Sequence, residues 1–144
     1  MIRGQSLNKS FEGIDAIRDL HFEVREGEIF GIVGPDGAGK STLLRLLSTI
    51  LTPDSGDILL HGKSIFNDTF SVKERIAYMP QRFGLYEDLT VEENIRFFGR
   101  LFGLSEKEIR KQLPGLYGFS NLGQFSDRLA GNLSGGMKQK LGLA

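Results

Sequence analysis

The chain has 144 residues, 40% of them hydrophobic, which is one domain's worth of sequence and enough to build a core. Its 18 basic and 18 acidic residues cancel, so no net field draws it to nucleic acid or to an anionic bilayer, and no nucleic-acid partner is expected. The lack of cysteine excludes disulfides, thiolate metal sites and cysteine nucleophiles, and fits a reducing compartment.

Met1-Ile2-Arg3-Gly4-Gln5 lacks the apolar core of a signal peptide, and no uncharged run is long enough to span a membrane, so a soluble cytosolic chain is expected. Residues 2–33 read as β-structure. Within them, Ile14 to Glu26 alternates in part, with Ile17, Leu20, Phe22 and Val24 apolar among polar neighbours. Glu26-Gly27-Glu28 is a turn into Glu28–Val33, a short apolar run of strand type. Phe11 precedes this hairpin; spacing alone favours an ordinary edge-strand aromatic over a base-stacking platform.

Gly34-Pro35-Asp36-Gly37-Ala38-Gly39-Lys40-Ser41-Thr42 follows that run directly and fits the phosphate-binding loop pattern, two glycines bracketing four residues before Lys-Ser. Such a loop wraps backbone N–H groups around phosphate oxygens, so Gly37 and Gly39 must tolerate unusual dihedrals without a side chain in the way. Lys40 then places its ammonium on the outer phosphates and Ser41 offers its hydroxyl to Mg²⁺. Leu43, Leu44, Leu46, Leu47, Ile50 and Leu51 recur at helical spacing beyond the loop. The helix opening there presents free N–H groups and a partial positive charge.

Thr52-Pro53-Asp54-Ser55-Gly56 reads as a turn, Asp57–His61 as a strand, and Gly62-Lys63 as a second turn. Ile76–Met79 is another strand-type run, closed by Pro80. Gln81 follows it, a candidate metal or water contact set against the commoner role of a surface loop residue. From Arg82 the pattern turns helical. Thr90 and Glu93 have capping-box spacing, and Val91, Ile95, Phe98 and Phe102 form an apolar stripe stopped by Gly103. Ser105 and Glu108 repeat the device for a helix that Pro114 is expected to end. In Leu133-Ser134-Gly135-Gly136-Met137-Lys138-Gln139-Lys140, two glycines fall in the first turn of a predicted helix, against local propensity by roughly 1 kcal/mol each. Small residues there let a phosphate approach the free N–H groups, with Ser134 adding a hydroxyl.

With both glycine motifs in view, the chain resembles the nucleotide-binding domain of an ABC transporter over essentially its whole length. The resemblance implies an α/β fold: a P-loop NTPase core, RecA-like and partial here, with an N-terminal antiparallel β-subdomain and a helical subdomain. Residues 1–81 would form the core and β-subdomain, 82–133 the helical subdomain, and 134–144 the start of the signature helix. It implies ATP and Mg²⁺ as cofactors, held by Gly34, Pro35, Asp36, Gly37, Ala38, Gly39, Lys40, Ser41 and Thr42, with Phe11 stacking on adenine. Gln81 matches the glutamine that links metal and attacking water to the helical subdomain. Ser134, Gly135 and Gly136 match the signature motif, which binds the γ-phosphate held by the opposite subunit of a head-to-tail dimer. A transmembrane subunit would dock near residues 82–90, placing the chain on the cytoplasmic face of a membrane.

Two small departures stand out. Asp36 replaces a frequent asparagine, so its carboxylate either weakens phosphate binding or is held away by a backbone contact. Lys140 replaces the commoner arginine, keeping charge but losing the planar fork. Gly-Gly-Met-Lys-Gln resembles exporter cassettes, including those linked to drug or glycan export.

A larger departure is that no Asp-Glu pair after an apolar run occurs, and His21 and His61 both precede the signature motif. The family's Walker B and γ-phosphate-sensing histidine are thus not among these residues. The expectation is a portion of an ATPase subunit that binds nucleotide weakly, hydrolyses it poorly and exposes Leu141 and Leu143. The alternatives are a soluble ABC ATPase acting on ribosomes or DNA, and a non-hydrolysing nucleotide-binding module. A GTPase is disfavoured, since the one Asn-Lys, Asn8-Lys9, precedes the phosphate loop and lacks the following Asp.

Overall fold

The computed structural model describes residues 1–81 and 84–144. Its contacts divide the chain into two compact units, Met1–Tyr78 and Met79–Ala144.

The first unit is built on an antiparallel sheet of order β2-β1-β3-β4, formed by β1 (Ile2–Phe11), β2 (Ile14–Val24), β3 (Ser55–Leu60) and β4 (Lys63–Ser64). β1 is therefore central as far as Asn8, and Phe11 at its end pairs with β2 but not with β3. The partial alternation of β2 has a physical cause. Ser6 on β1 and Asp19 on β2 take φ of 45° and 40°, and the β1–β2 register slips between Gly4 and Leu7 and again between Leu7 and Lys9. These irregularities turn both strands by an extra residue, so Gly4 and Leu7 on one strand, and Ile17 and Leu20 on the other, share the inner face at odd spacing. Asn8 secures them: its Nδ2 donates to Ser6 O at 2.8 Å, and its Oδ1 accepts from Asp19 N at 2.9 Å.

Helix α1 (Lys40–Leu47) lays Leu43 and Leu46 into the core made by Leu7, Ile17, Ile58 and Ile65. It stops short of Ile50 and Leu51 because Thr49 turns left-handed at φ 56° while Ile50 N bonds back to Arg45 O. A short helix α2 (Thr69–Lys73), capped by Asp68, completes the unit. Glu28–Val33 and Ile76–Met79 form no strand, contrary to their composition. Each run has strand propensity, but a strand needs a partner ladder, and none of the described residues pairs with either.

The second unit is helical: α3 (Val91–Leu101), α4 (Glu106–Ser120) and α5 (Gly135–Leu143), joined by short 3₁₀ turns. Both expected capping boxes are present, at Thr90/Glu93 and Ser105/Glu108. Val91, Ile95, Ile109, Leu113, Leu122, Ala130, Leu133 and Leu141 make its core. Three expectations are corrected here. α4 runs straight through Pro114, because Leu113 behind it and Leu116 and Tyr117 ahead of it pack on the core. Pro114 and Arg110 are both exposed, so the bond that proline cannot make is lost on the solvent side and not in the core. Phe102 leaves the stripe at 80% exposure, since α3 ends before it and Gly103, at φ 82°, turns the chain away. Leu141 is buried in the helical core; Leu143 is exposed as expected.

Candidate functional site

The loop Gly34–Thr42 is exposed along most of its length and opens α1. Gly37 and Gly39 take φ of 80° and 81°, the left-handed region that side chains resist. Gly39 has a second constraint, since a Cβ there would run into the backbone oxygen of Ala16 on β2. The loop is thus pressed against the sheet at Gly39, the N-cap of α1, which supplies no side-chain cap. Among the described residues, no acceptor meets the N–H groups of Lys40, Ser41 or Thr42. Lys40 folds back over the loop, its Nζ 2.7 Å from Gly34 O and 2.6 Å from Pro35 O. Asp36 is exposed, and no backbone N–H among the described residues holds its carboxylate.

Phe11 belongs to the same neighbourhood through the hairpin. It pairs with Ile14, and Ala16, which touches Gly39, is two residues further along β2, about 7 Å at strand rise. The ring is 44% exposed, and the Lys9 ammonium lies 5.5 Å from its centroid. Ser41 is exposed at the first turn of α1.

In the second unit Ser134 is the N-cap of α5, its Oγ accepting from Met137 N at 3.3 Å. Gly135 and Gly136 follow in the first turn, exposed and with open space where a Cβ would sit. Lys138 points from α5 to Glu87, Nζ to Oε1 2.7 Å, and this contact holds the Glu87 carboxyl below its usual range. Gln81 is exposed; Arg82 and Phe83 of the expected docking segment lie outside the described residues.

A family model described as ABC transporter matches residues 17–144. The chain belongs to the ABC transporter family. Among its curated ABC relatives is the probable multidrug ABC transporter ATP-binding protein YbhF of Escherichia coli K12, 46% identical over 140 residues that make up 96% of this chain and 24% of that protein. The Nod factor export ATP-binding protein I of Ralstonia nicotianae is 41% identical over 97% of this chain and 44% of its own length. The chain therefore spans between a quarter and a half of these ABC proteins. Solved structures agree on the fold. An ATP-binding subunit of an ABC transporter superposes with TM-score 0.81 at 30% identity, covering 99% of this chain and 60% of that one. A dimeric bacterial ABC transporter cassette gives 0.83 at 26%, covering 99% and 67%. The N-terminal antiparallel sheet with its helices is thus part of an ABC-type P-loop NTPase fold.

Sequence reasoning missed Asn94, which is fully buried and hydrogen-bonded to three backbone carbonyls and one N–H of the 86–90 segment. A signal was present, because Asn94 falls between Val91 and Ile95 on the apolar face of α3. It also missed Lys9 and Asp54 beside Phe11.

Proposed function

We propose that this chain is the nucleotide-holding part of an ABC transporter's ATP-binding subunit, probed most directly by its affinity for Mg-ATP. The observation that carries the reading is the Gly34–Thr42 loop, whose left-handed Gly39 is seated on β2 and opens a helix whose first N–H groups meet no acceptor among the described residues, with the Lys40 ammonium folded over the same loop. These groups fit a polyphosphate: three N–H donors and a cation belong to one loop, at the helix end where an anion gains from the dipole. Lys40 would exchange the Gly34 and Pro35 carbonyls for phosphate oxygens, and Ser41 would supply one oxygen to Mg²⁺. Such an ion takes few protein ligands and completes its shell from phosphate and water. When bound, ATP supplies the phosphoryl bond whose cleavage drives the cycle. Phe11 stacks on adenine, and Gln81 takes the metal and water contact on resemblance alone.

In this reading two such subunits pair head to tail, with Ser134, Gly135 and Gly136 of each serving the γ-phosphate held by the other. Export is the favoured direction, because relatives of this chain carry multidrug and Nod factor export names. A transmembrane subunit docks on the segment ending at Thr90, bringing the chain to the cytoplasmic face. In support, Tyr86 packs edge-on to Phe97 with centroids 4.6 Å apart. Beside them Leu89, Glu93, Arg96, Phe97, Arg100 and Leu101 line an open groove of about 580 Å³. Hydrolysis in this family draws on an Asp-Glu pair after an apolar run and on a histidine beyond the signature motif; neither occurs among these 144 residues, so in this reading the chain alone binds nucleotide and turns it over poorly.

The test is a thermal melt with and without Mg-ATP, beside phosphate release. Mg-ATP is expected to raise the melting temperature of the wild-type chain and to leave Lys40→Ala unmoved, with little phosphate released by either. An equal shift in both proteins would remove the loop from the reading.

A further inference from the structure

The end of β1 is held in an unusual way. The β1–β3 ladder runs from Ile2↔Leu60 to Gln5↔Asp57, resumes once at Asn8↔Ser55 and then stops. Beyond Asn8, only β2 pairs with the strand, so Lys9, Ser10 and Phe11 would be tethered on one side alone. Asp54, in the turn before β3, takes over the other side. Its own N–H donates to Asn8 O at 2.8 Å. Its Oδ2 accepts from Ser10 N at 2.6 Å and from Ser10 Oγ at 3.0 Å, and its Oδ1 accepts from Lys9 Nζ at 2.6 Å. The same Lys9 ammonium lies over the Phe11 ring, with its side chain largely covered. These bonds keep the Asp54 carboxyl ionised, its pKa lowered to about 2, chiefly by Lys9 and then by Ser10.

We infer that Asp54 is a positioning residue for nucleotide-base recognition: through Ser10 and Lys9 it presets the strand end and ring of Phe11 against which the base stacks. The inference rests on the reading of Phe11 as the base platform. The carboxylate holds both the backbone before the ring and the cation over one of its faces, while Phe11 stays 44% exposed and so within reach of a base. Stacking on a preset ring costs less ordering than stacking on a loose one. Phosphate affinity, which resides in the Lys40 loop, does not pass through Asp54.

The two contributions separate with two ligands, Mg-ATP and inorganic tripolyphosphate with Mg²⁺, titrated into the 144-residue chain by calorimetry. Phe11→Ala should weaken ATP about tenfold, the size expected for loss of a stacked base, and leave tripolyphosphate within about twofold. Asp54→Ala should weaken ATP by about three- to fivefold, again sparing tripolyphosphate. The double variant should be no weaker than Phe11→Ala, because Asp54 acts through the ring. Asp54→Asn, which keeps an acceptor for Ser10 but loses the charge on Lys9, gives an intermediate loss and serves if the alanine variant fails to fold. Unchanged ATP affinity in both Asp54 variants, with Phe11→Ala impaired, overturns the inference and leaves the platform standing. Equal loss of both ligands on changing Asp54 also overturns it, as general loosening. If Phe11→Ala itself binds ATP normally, the platform reading fails and takes this inference with it.

Discussion

Asn94 grips Tyr86 by both ends of its amide: Oδ1 accepts from Tyr86 N at 2.9 Å, and Nδ2 lies 2.9 Å from Tyr86 O. The same Nδ2 reaches Leu89 O at 3.2 Å and Thr90 O at 2.9 Å. One buried side chain on α3 thus ties down the 86–90 segment, alongside its own Leu89–Tyr86 turn and the Thr90–Leu129 bridge. Asn94→Ala would leave Tyr86 N without its acceptor and remove one donor from three carbonyls that each keep a backbone partner, at a cost of about 1–3 kcal/mol. Urea unfolding should show that loss, with Asn94→Asp no better, because a carboxylate cannot donate to the three carbonyls. A loss below about 0.5 kcal/mol would mean the segment is held by its other contacts.

Gly37 and Gly39 have the same dihedral handedness but different surroundings, and that difference is measurable. Gly37→Ala meets open space, so it should cost only the left-handed backbone penalty of about 1–2 kcal/mol. Gly39→Ala adds a collision with the Ala16 carbonyl and must shift the loop off β2. It should therefore be the more destabilising of the two in a thermal melt, and should abolish the Mg-ATP shift where Gly37→Ala only weakens it. Equal melting temperatures would show that the loop is not seated on Ala16.

Tyr117 links α4 to α3 through its hydroxyl, which donates to Glu92 Oε2 at 2.9 Å. Burial, then the Glu92 carboxylate, pushes its pKa well above the ordinary 10.0, while Arg96 and Tyr117 hold Glu92 below its ordinary value. The sign follows: above pH about 10 the unfolded chain ionises Tyr117 and the native one resists, so stability present below that pH is lost as the pH rises. Melts of Tyr117→Phe across that range should lose less stability with rising pH than wild type. Parallel curves would count against the linkage.

What could be read beforehand was local. The capping boxes at Thr90 and Ser105 depend on residues three apart, and the sequence displays them. The β-bulges at Ser6 and Asp19 are set across strands and fixed by Asn8, so a single strand showed them only as faulty alternation. Pro114 obeys a local rule that packing of Leu113 and Tyr117 overrides. The phosphate loop was plain in its glycines, but its seat on Ala16 and the Asp54–Lys9 support of Phe11 join residues more than twenty positions apart and leave no local trace. Asn94 was visible as a polar residue on an apolar face and needed only to be taken seriously.

Strand composition without a partner carries its own consequence at Glu28–Val33. Ile29 is 100% exposed and Val33 94%, with Phe30 nearly half exposed, along an extended segment that no described strand pairs. Unpaired N–H and C=O groups beside exposed β-branched side chains form a template for another chain. The 144-residue chain should therefore self-associate with rising concentration, seen as growth of the weight-average mass in sedimentation. Ile29→Lys together with Val33→Lys should suppress that growth, because each copy then presents charge along the pairing edge. Neither residue belongs to the Gly34–Thr42 loop, so the double variant should keep most of its Mg-ATP shift. Association undiminished by both lysines would place the sticky surface elsewhere, with Phe102 and Ile14 as the next most exposed large apolar side chains to change.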